Sequence, residues 1–122
     1  MKINADDMDQ AADAASALLK ALSNRHRLII VCQLIEQERS VGELGDVLGV
    51  RDSTVSQHLA LLRREGLVTA RRQGQTVWYR IGSEPARALV NTLYQVYCQP
   101  AATCAPRGTS RAGAAKSRKR IA

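Results

Sequence analysis

The chain has 122 residues, 45% of them apolar, and a formal net charge of +7, a length for one domain and an apolar share sufficient for a small core. Aromatics are scarce (one Trp, three Tyr, no Phe), so the core is expected to be built from Leu, Val, Ile and Ala. No apolar run approaches the ~18 residues of a membrane helix, and the start MKINADDMDQ lacks the apolar segment of a signal peptide, which together predict a cytoplasmic protein.

Met8, Ala11, Ala12, Ala15, Leu18, Leu19 and Leu22 recur at helical spacing and predict a first helix over residues 6–22. Ser23 or Asn24 is placed to cap a second helix running to about Gln37. Its inward face reads as Leu28, Val31, Cys32 and Ile35, so Cys32 is expected to point at the core. A short third helix, Val41–Leu48, has Ser40 as its cap and Gly49 as its stop. Asp52 or Ser53 is expected to cap a fourth, from about Thr54 to Glu65, ended by Gly66. There the period changes. Leu67–Arg72 and Thr76–Ile81 read as strands around Gln73-Gly74-Gln75, a hairpin signal. Ser83 caps a last helix with Pro85 in its first turn, where proline is tolerated. Its apolar stripe is Leu89, Val90, Leu93, Val96 and Tyr97, and it ends at Cys98 because Pro100 stops it.

Residues 100–122 are rich in Ala, Gly, Ser, Thr, Pro and Arg, too poor in apolar groups to pack, and are expected to be a basic disordered tail. The expected organisation is therefore a domain over residues 1–99 and a tail over 100–122. The domain is mainly α with a small β-hairpin, in the order α-α-α-α-β-β-α. Helices three and four are joined by a few residues around Gly49, as in a helix-turn-helix, and the hairpin behind them is a wing.

Charge is unevenly spread. The tail holds six basic residues and no acid; without it 12 basic residues face 11 acidic ones. Residues 51–80 hold six Arg against Asp52 and Glu65. A basic segment past the middle and a basic tail point to a polyanion, most simply nucleic acid.

DSTVSQHLALLRREGLV (residues 52–68) is the most informative stretch. Val55, Leu59 and Leu62 share one helical face; Ser53, Ser56, Gln57, Ala60 and Arg64 share the other. Small side chains let a helix approach the major groove, and Gln or Ser can bond base edges. Arg51, Arg63 and Arg64 are expected on phosphates, which position rather than specify. Thr54 and His58 complete the candidate DNA-facing set on the helix; Arg71, Arg72 and Gln75 form it on the wing. No acid/base pair, phosphate-binding glycine loop or nucleophile motif suggests an enzyme, and no cofactor is expected.

LKALSNRHRLIIVCQL followed by VGELGDVLGVRDSTVSQHLALLRREGLVTARRQGQTVWYRI resembles the ArsR/SmtB family of winged-helix repressors, over about residues 15–98. The resemblance implies a homodimer paired through the first and last helices. It also implies a near-palindromic double-stranded DNA operator and an affinity that falls when an inducer binds.

Metals in that family are usually held by a Cys-x-Cys pair in the third helix or by His and acidic residues along the last. Here VGELGDVL has no Cys, PARALVNTLYQVYC has no His and no acid, and His26 and His58 lie on different helices, far apart in sequence. No metal site is expected, and His58 reads as a helix-face or DNA-backbone contact.

The chain has three cysteines, Cys32, Cys98 and Cys104, an odd number that argues against a structural disulfide framework. Alone, a Cys within LIIVCQL reads as a small hydrophobe. However, LIIVCQL and LYQVYCQP resemble the corresponding segments of the persulfide-sensing branch of the family, in which two such thiols form a conditional bridge. Carried over, Cys32 and Cys98 are the sensing pair and reactive sulfur species the inducer. The alternative is an arsenite-type metalloid sensor with Cys32, Cys98 and Cys104 as thiolate ligands; Cys104 has no counterpart in the persulfide pattern.

Overall fold

Most helices of this chain begin where a small polar side chain can take up their free N–H groups. The computed structural model describes residues 2–98. In chain order these form α1 (Ala5–Leu22), α2 (Arg25–Glu36), β1 (Arg39–Ser40), α3 (Val41–Leu48), α4 (Asp52–Arg64), β2 (Val68–Gln73), β3 (Thr76–Ile81) and α5 (Glu84–Tyr97). Asn4 Oδ1 accepts from the N–H groups of Asp6 and Asp7, and Asn24 Oδ1 from those of His26 and Arg27. Ser40 and Glu43 form a reciprocal capping box at α3. Ser83 Oγ accepts from the Ala86 N–H at α5.

The exception is α4. Its N-cap is Arg51, whose side chain makes no capping bond, and Asp52 already lies in the first turn. The expected cap at Asp52 or Ser53 is thus not what starts this helix. Its start is set by the crossing with α3. Gly49 adopts φ +70° and its N–H donates to Gly45 O at 2.7 Å, with the Val50 N–H on the same oxygen at 3.2 Å. A Cβ on Gly45 would lie 2.9 Å from Asp52 Oδ1 and 3.1 Å from Val50 O. A side chain there would have to push back the Asp52 carboxylate and the Val50 carbonyl.

The core is aliphatic, as the composition predicts. Ile30, Val31, Leu44, Val55, Leu59, Leu62, Val68 and Val90 are fully buried. The face of α2 differs from expectation: Ile30, Val31 and Leu34 are buried, whereas Leu28, Cys32 and Ile35 are half-buried at its margin. Five neighbours, α1, α3, α4, α5 and β3, pack around this one helix.

The wing is an antiparallel hairpin, Val68 opposite Ile81 through Gln73 opposite Thr76, its first strand shifted one residue from expectation. A third strand that the sequence did not announce, β1, pairs with β3 through Arg39–Tyr79 and Ser40–Trp78, giving the order β1-β3-β2. Two residues are too short to carry a period.

Helix α1 packs on α2 but leaves a groove of about 480 Å³ between its alanines and Leu67 and Pro85. The second half of α5 departs from its expected stripe, because Val96 and Tyr97 face solvent. Among the described residues no helix is long and apolar enough to cross a membrane. The basic tail, and Cys104 within it, lie outside the described residues.

Candidate functional site

Helix α4 presents the two faces its sequence predicts. Val55, Leu59 and Leu62 are fully buried; Ser53, Ser56, Gln57, Ala60 and Arg64 are exposed together on the opposite side, and Thr54 is half-buried beside them. Arg51 precedes the helix and Arg63 lies in its last turn, both exposed. Among the described residues Arg51, Arg63, Arg64 and Arg72 make no side-chain hydrogen bond or ion pair.

His58 sits apart from that exposed face. It is half-buried, and its ring meets the ring of His26 edge-on, with centroids 5.6 Å apart and planes at 69°. The packing of α2 against α4 thus joins two histidines that the sequence separates. Burial, then Arg27 and His26, hold the His58 imidazole below its ordinary pKa, favouring the neutral ring. Among the described residues no group of three or more His, Cys, Asp or Glu is placed to hold a metal.

The three wing residues part company. Gln75 is exposed in the turn and Arg72 is exposed on β2. Arg71 is occupied: Nε and Nη2 donate to the two Glu38 carboxylate oxygens at 2.8 and 2.7 Å, and Nη1 donates to Gln73 Oε1 at 2.9 Å. The hydrogen bonds from Arg71 hold the Glu38 carboxyl below the usual carboxylate range. Neither Glu38 nor His26 was singled out from sequence. Each meets its partner over more than thirty positions, a separation that leaves no periodic signal.

The two described thiols are free. Cys32 lies half-buried on α2, against the core. Cys98 is exposed as the C-cap of α5, its N–H donating to Tyr94 O at 2.8 Å. Helices α2 and α5 pack together, and Arg87 Nη1 donates across to Ile35 O at 3.5 Å. Burial pushes the Cys32 thiol up, and negative charge at Cys98 adds to the push.

Residues 24–70 match the bacterial regulatory protein, arsR family, description. The transcriptional activator HlyU of Vibrio cholerae is 44% identical over 97 residues, which cover 80% of this chain and 90% of HlyU. The structure of reduced HlyU superposes with a TM-score of 0.73 at 45% identity, covering 76% of this chain and 98% of HlyU. The transcriptional repressor BigR of Xylella fastidiosa superposes with a TM-score of 0.75 at 41% identity, covering 80% of this chain and 99% of BigR. A homodimeric winged helix-turn-helix DNA-binding domain from Mycobacterium bovis gives a TM-score of 0.65 at 33% identity, covering 79% of this chain and 89% of that one. The matched residues run from the cap of α2 through α3 and α4 to the start of β2, and with the relatives' identity and coverage they show that the chain belongs to the arsR family of bacterial regulatory proteins.

Proposed function

We propose that the chain is a homodimeric repressor that binds a near-palindromic DNA operator and releases it when reactive sulfur joins Cys32 to Cys98 within one protomer. The observation that carries this reading is the placing of an exposed thiol at the end of α5 and a half-buried thiol on α2, the helix that α5 packs against.

The exposed polar face of α4, flanked by arginines with no side-chain partner among the described residues, suits a major groove and its phosphates. A second copy would cover the apolar groups left in water on α1 and α5, among them Met8, Leu19, Tyr94, Val96 and Tyr97. The homodimeric relative supports a second copy. Relatives include an activator and a repressor. Repression is the simpler outcome, because occupying an operator needs no surface beyond the DNA-binding fold itself.

The chemistry follows from accessibility. The exposed Cys98 thiolate attacks the sulfane sulfur of a low-molecular-weight persulfide; that sulfur transfers to Cys98 and the donor leaves as its thiolate. The Cys32 thiolate then attacks the inner sulfur of the Cys98 persulfide and displaces hydrosulfide, closing a disulfide. The two protein thiols supply two electrons, which reduce the sulfane sulfur to sulfide. If both cysteines carry a persulfide, their condensation expels one hydrogen sulfide and leaves a trisulfide. Because burial raises the Cys32 pKa, closure should quicken as pH rises. The bridge draws the end of α5 toward α2 and changes the apolar surface offered to the partner. A coupling of about 1–3 kcal/mol suffices for a useful switch. A relative whose reduced form is distinguished by name supports a regulator sensitive to redox state.

The test is operator release by a persulfide donor, followed by mass spectrometry of the released protein. Cys32→Ser and Cys98→Ser should each bind the operator as the wild type does and ignore the donor; Cys104→Ser should still respond. Release of Cys32→Ser by the donor would remove Cys32 from the switch. Release by arsenite alone, dependent on Cys104, would replace the sulfur reading with a metalloid one.

A further inference from the structure

The geometry points to Glu38 as a positioning residue for DNA binding: its carboxylate clamps Arg71 so that the wing is held at a fixed angle, leaving the phosphate contact of the wing to Arg72. This inference rests on the operator-binding reading above and adds to it a division of labour between two adjacent arginines.

The two arginines look alike in sequence and are unlike in place. Side chains alternate along a strand. Arg71 shares the solvent face of the sheet with Thr69 and Gln73, and stands opposite Trp78 of β3. Arg72 shares the other face, that of Val68 and Ala70, and stands opposite Val77. Arg71 is the occupied one. Its fork meets Glu38 with both oxygens at 2.7 and 2.8 Å, and its remaining nitrogen reaches Gln73 at 2.9 Å. A bidentate guanidinium–carboxylate pair fixes direction as well as distance. To reach phosphate, Arg71 would have to give up three hydrogen bonds; Arg72, with no side-chain partner among the described residues, gives up none.

The clamp also stands where the fold is weakly held. Glu38 follows α2 and precedes β1, a strand of two residues that ties the body to β3 by a short ladder. Gln73 is the last residue of β2, next to the turn. Glu38, Arg71 and Gln73 therefore form one strut from the end of α2 to the tip of the hairpin. Arg80 adds its field to the same carboxylate. Because Glu38 and Arg71 cancel in charge, the pair contributes direction to the wing and little net attraction to DNA.

Charge-conserving variants test this, measured on a duplex selected from a random pool by the wild-type protein, across a range of salt concentrations. The double variant Glu38→Gln/Arg71→Gln removes the clamp without changing net charge. It should bind roughly fivefold more weakly with the salt slope unchanged. The swapped pair Glu38→Arg/Arg71→Glu should restore affinity to within about twofold of wild type at the same slope. Arg72→Ala should lower the slope by about 0.9 per protomer, one phosphate contact each. A swapped pair that loses both affinity and about one unit of slope per protomer would make Arg71 a phosphate contact and overturn the inference. A Gln/Gln variant that binds as the wild type does would equally overturn it, because no positioning role would be left. Wild-type protein that selects no duplex would defeat the operator-binding reading itself, whereas a binding wild type with indifferent variants defeats the clamp alone.

Discussion

Helices α4 and α5 are nearly equal in length, 13 and 14 residues, and both are amphipathic, yet they are finished in different ways. In α4 the apolar residues Val55, Leu59 and Leu62 are all fully buried within the protomer, and the outer face is polar. In α5 only Ala86 and Val90 are buried, and its second half leaves Val96 64% and Tyr97 78% exposed. The helix read as facing nucleic acid is complete in one chain. The helix that carries Cys98 is not, and α1 shares that condition, with Leu19 56% exposed. Helix α4 thus keeps its apolar face inside one chain, whereas α5 and α1 leave apolar groups for a second copy to cover.

Substitutions on the two helices should therefore separate. Leu59→Ala opens a cavity in a site with no solvent access and should cost about 2–5 kcal/mol of folding stability, read from denaturant unfolding. Gln57→Ala, on the exposed face of the same helix, should leave stability unchanged. It should cost about 1–3 kcal/mol of operator affinity and loosen base preference. Equal weakening on all sequences would make Gln57 a backbone contact. Tyr97→Ala on α5 should change protomer stability by less than about 0.5 kcal/mol and raise the dimer dissociation constant about tenfold, or about 1.4 kcal/mol, in sedimentation. If Tyr97→Ala destabilises the protomer as much as Leu59→Ala does, the contrast between the helices is false.

How much of this could be read in the sequence depends on how local the cause is. The third helix was legible because Ser40 and Gly49 carry its start and stop chemistry themselves; the return bond from the Ser40 N–H to the Glu43 carboxylate was not foreseen. The two faces of α4 were legible because its apolar residues are few and well spaced. Helix α2 was not: residues 28–32 are apolar or near-apolar without a break, and five packing neighbours erase a single face. That is why Cys32 stands at the margin of the core and Ile30 and Leu34 fill it. The start of α4 was misread because a close approach at Gly45, not a capping side chain, fixes it. The clamp on Arg71 and the His26–His58 pair were invisible because tertiary packing alone brings their members together.

The smallest effect is expected on the flank of α4, between its buried and exposed faces. His58 is half-buried there, and its imidazole titrates below its ordinary value because burial, Arg27 and His26 all disfavour the charged ring. On unfolding it returns to about 6.5. The unfolded chain thus binds the proton more tightly than the folded one, and protonation favours unfolding. The contribution of the neutral ring to stability should be fully present above about pH 6.5 and should fade as pH falls through the folded value. Urea midpoints measured from pH 8 down to pH 5 should decline more steeply in the wild type than in His58→Gln, which has no proton to gain. Parallel curves for the two proteins would show that the His58 environment is the same folded and unfolded, and that the edge-on ring pair does not hold in solution.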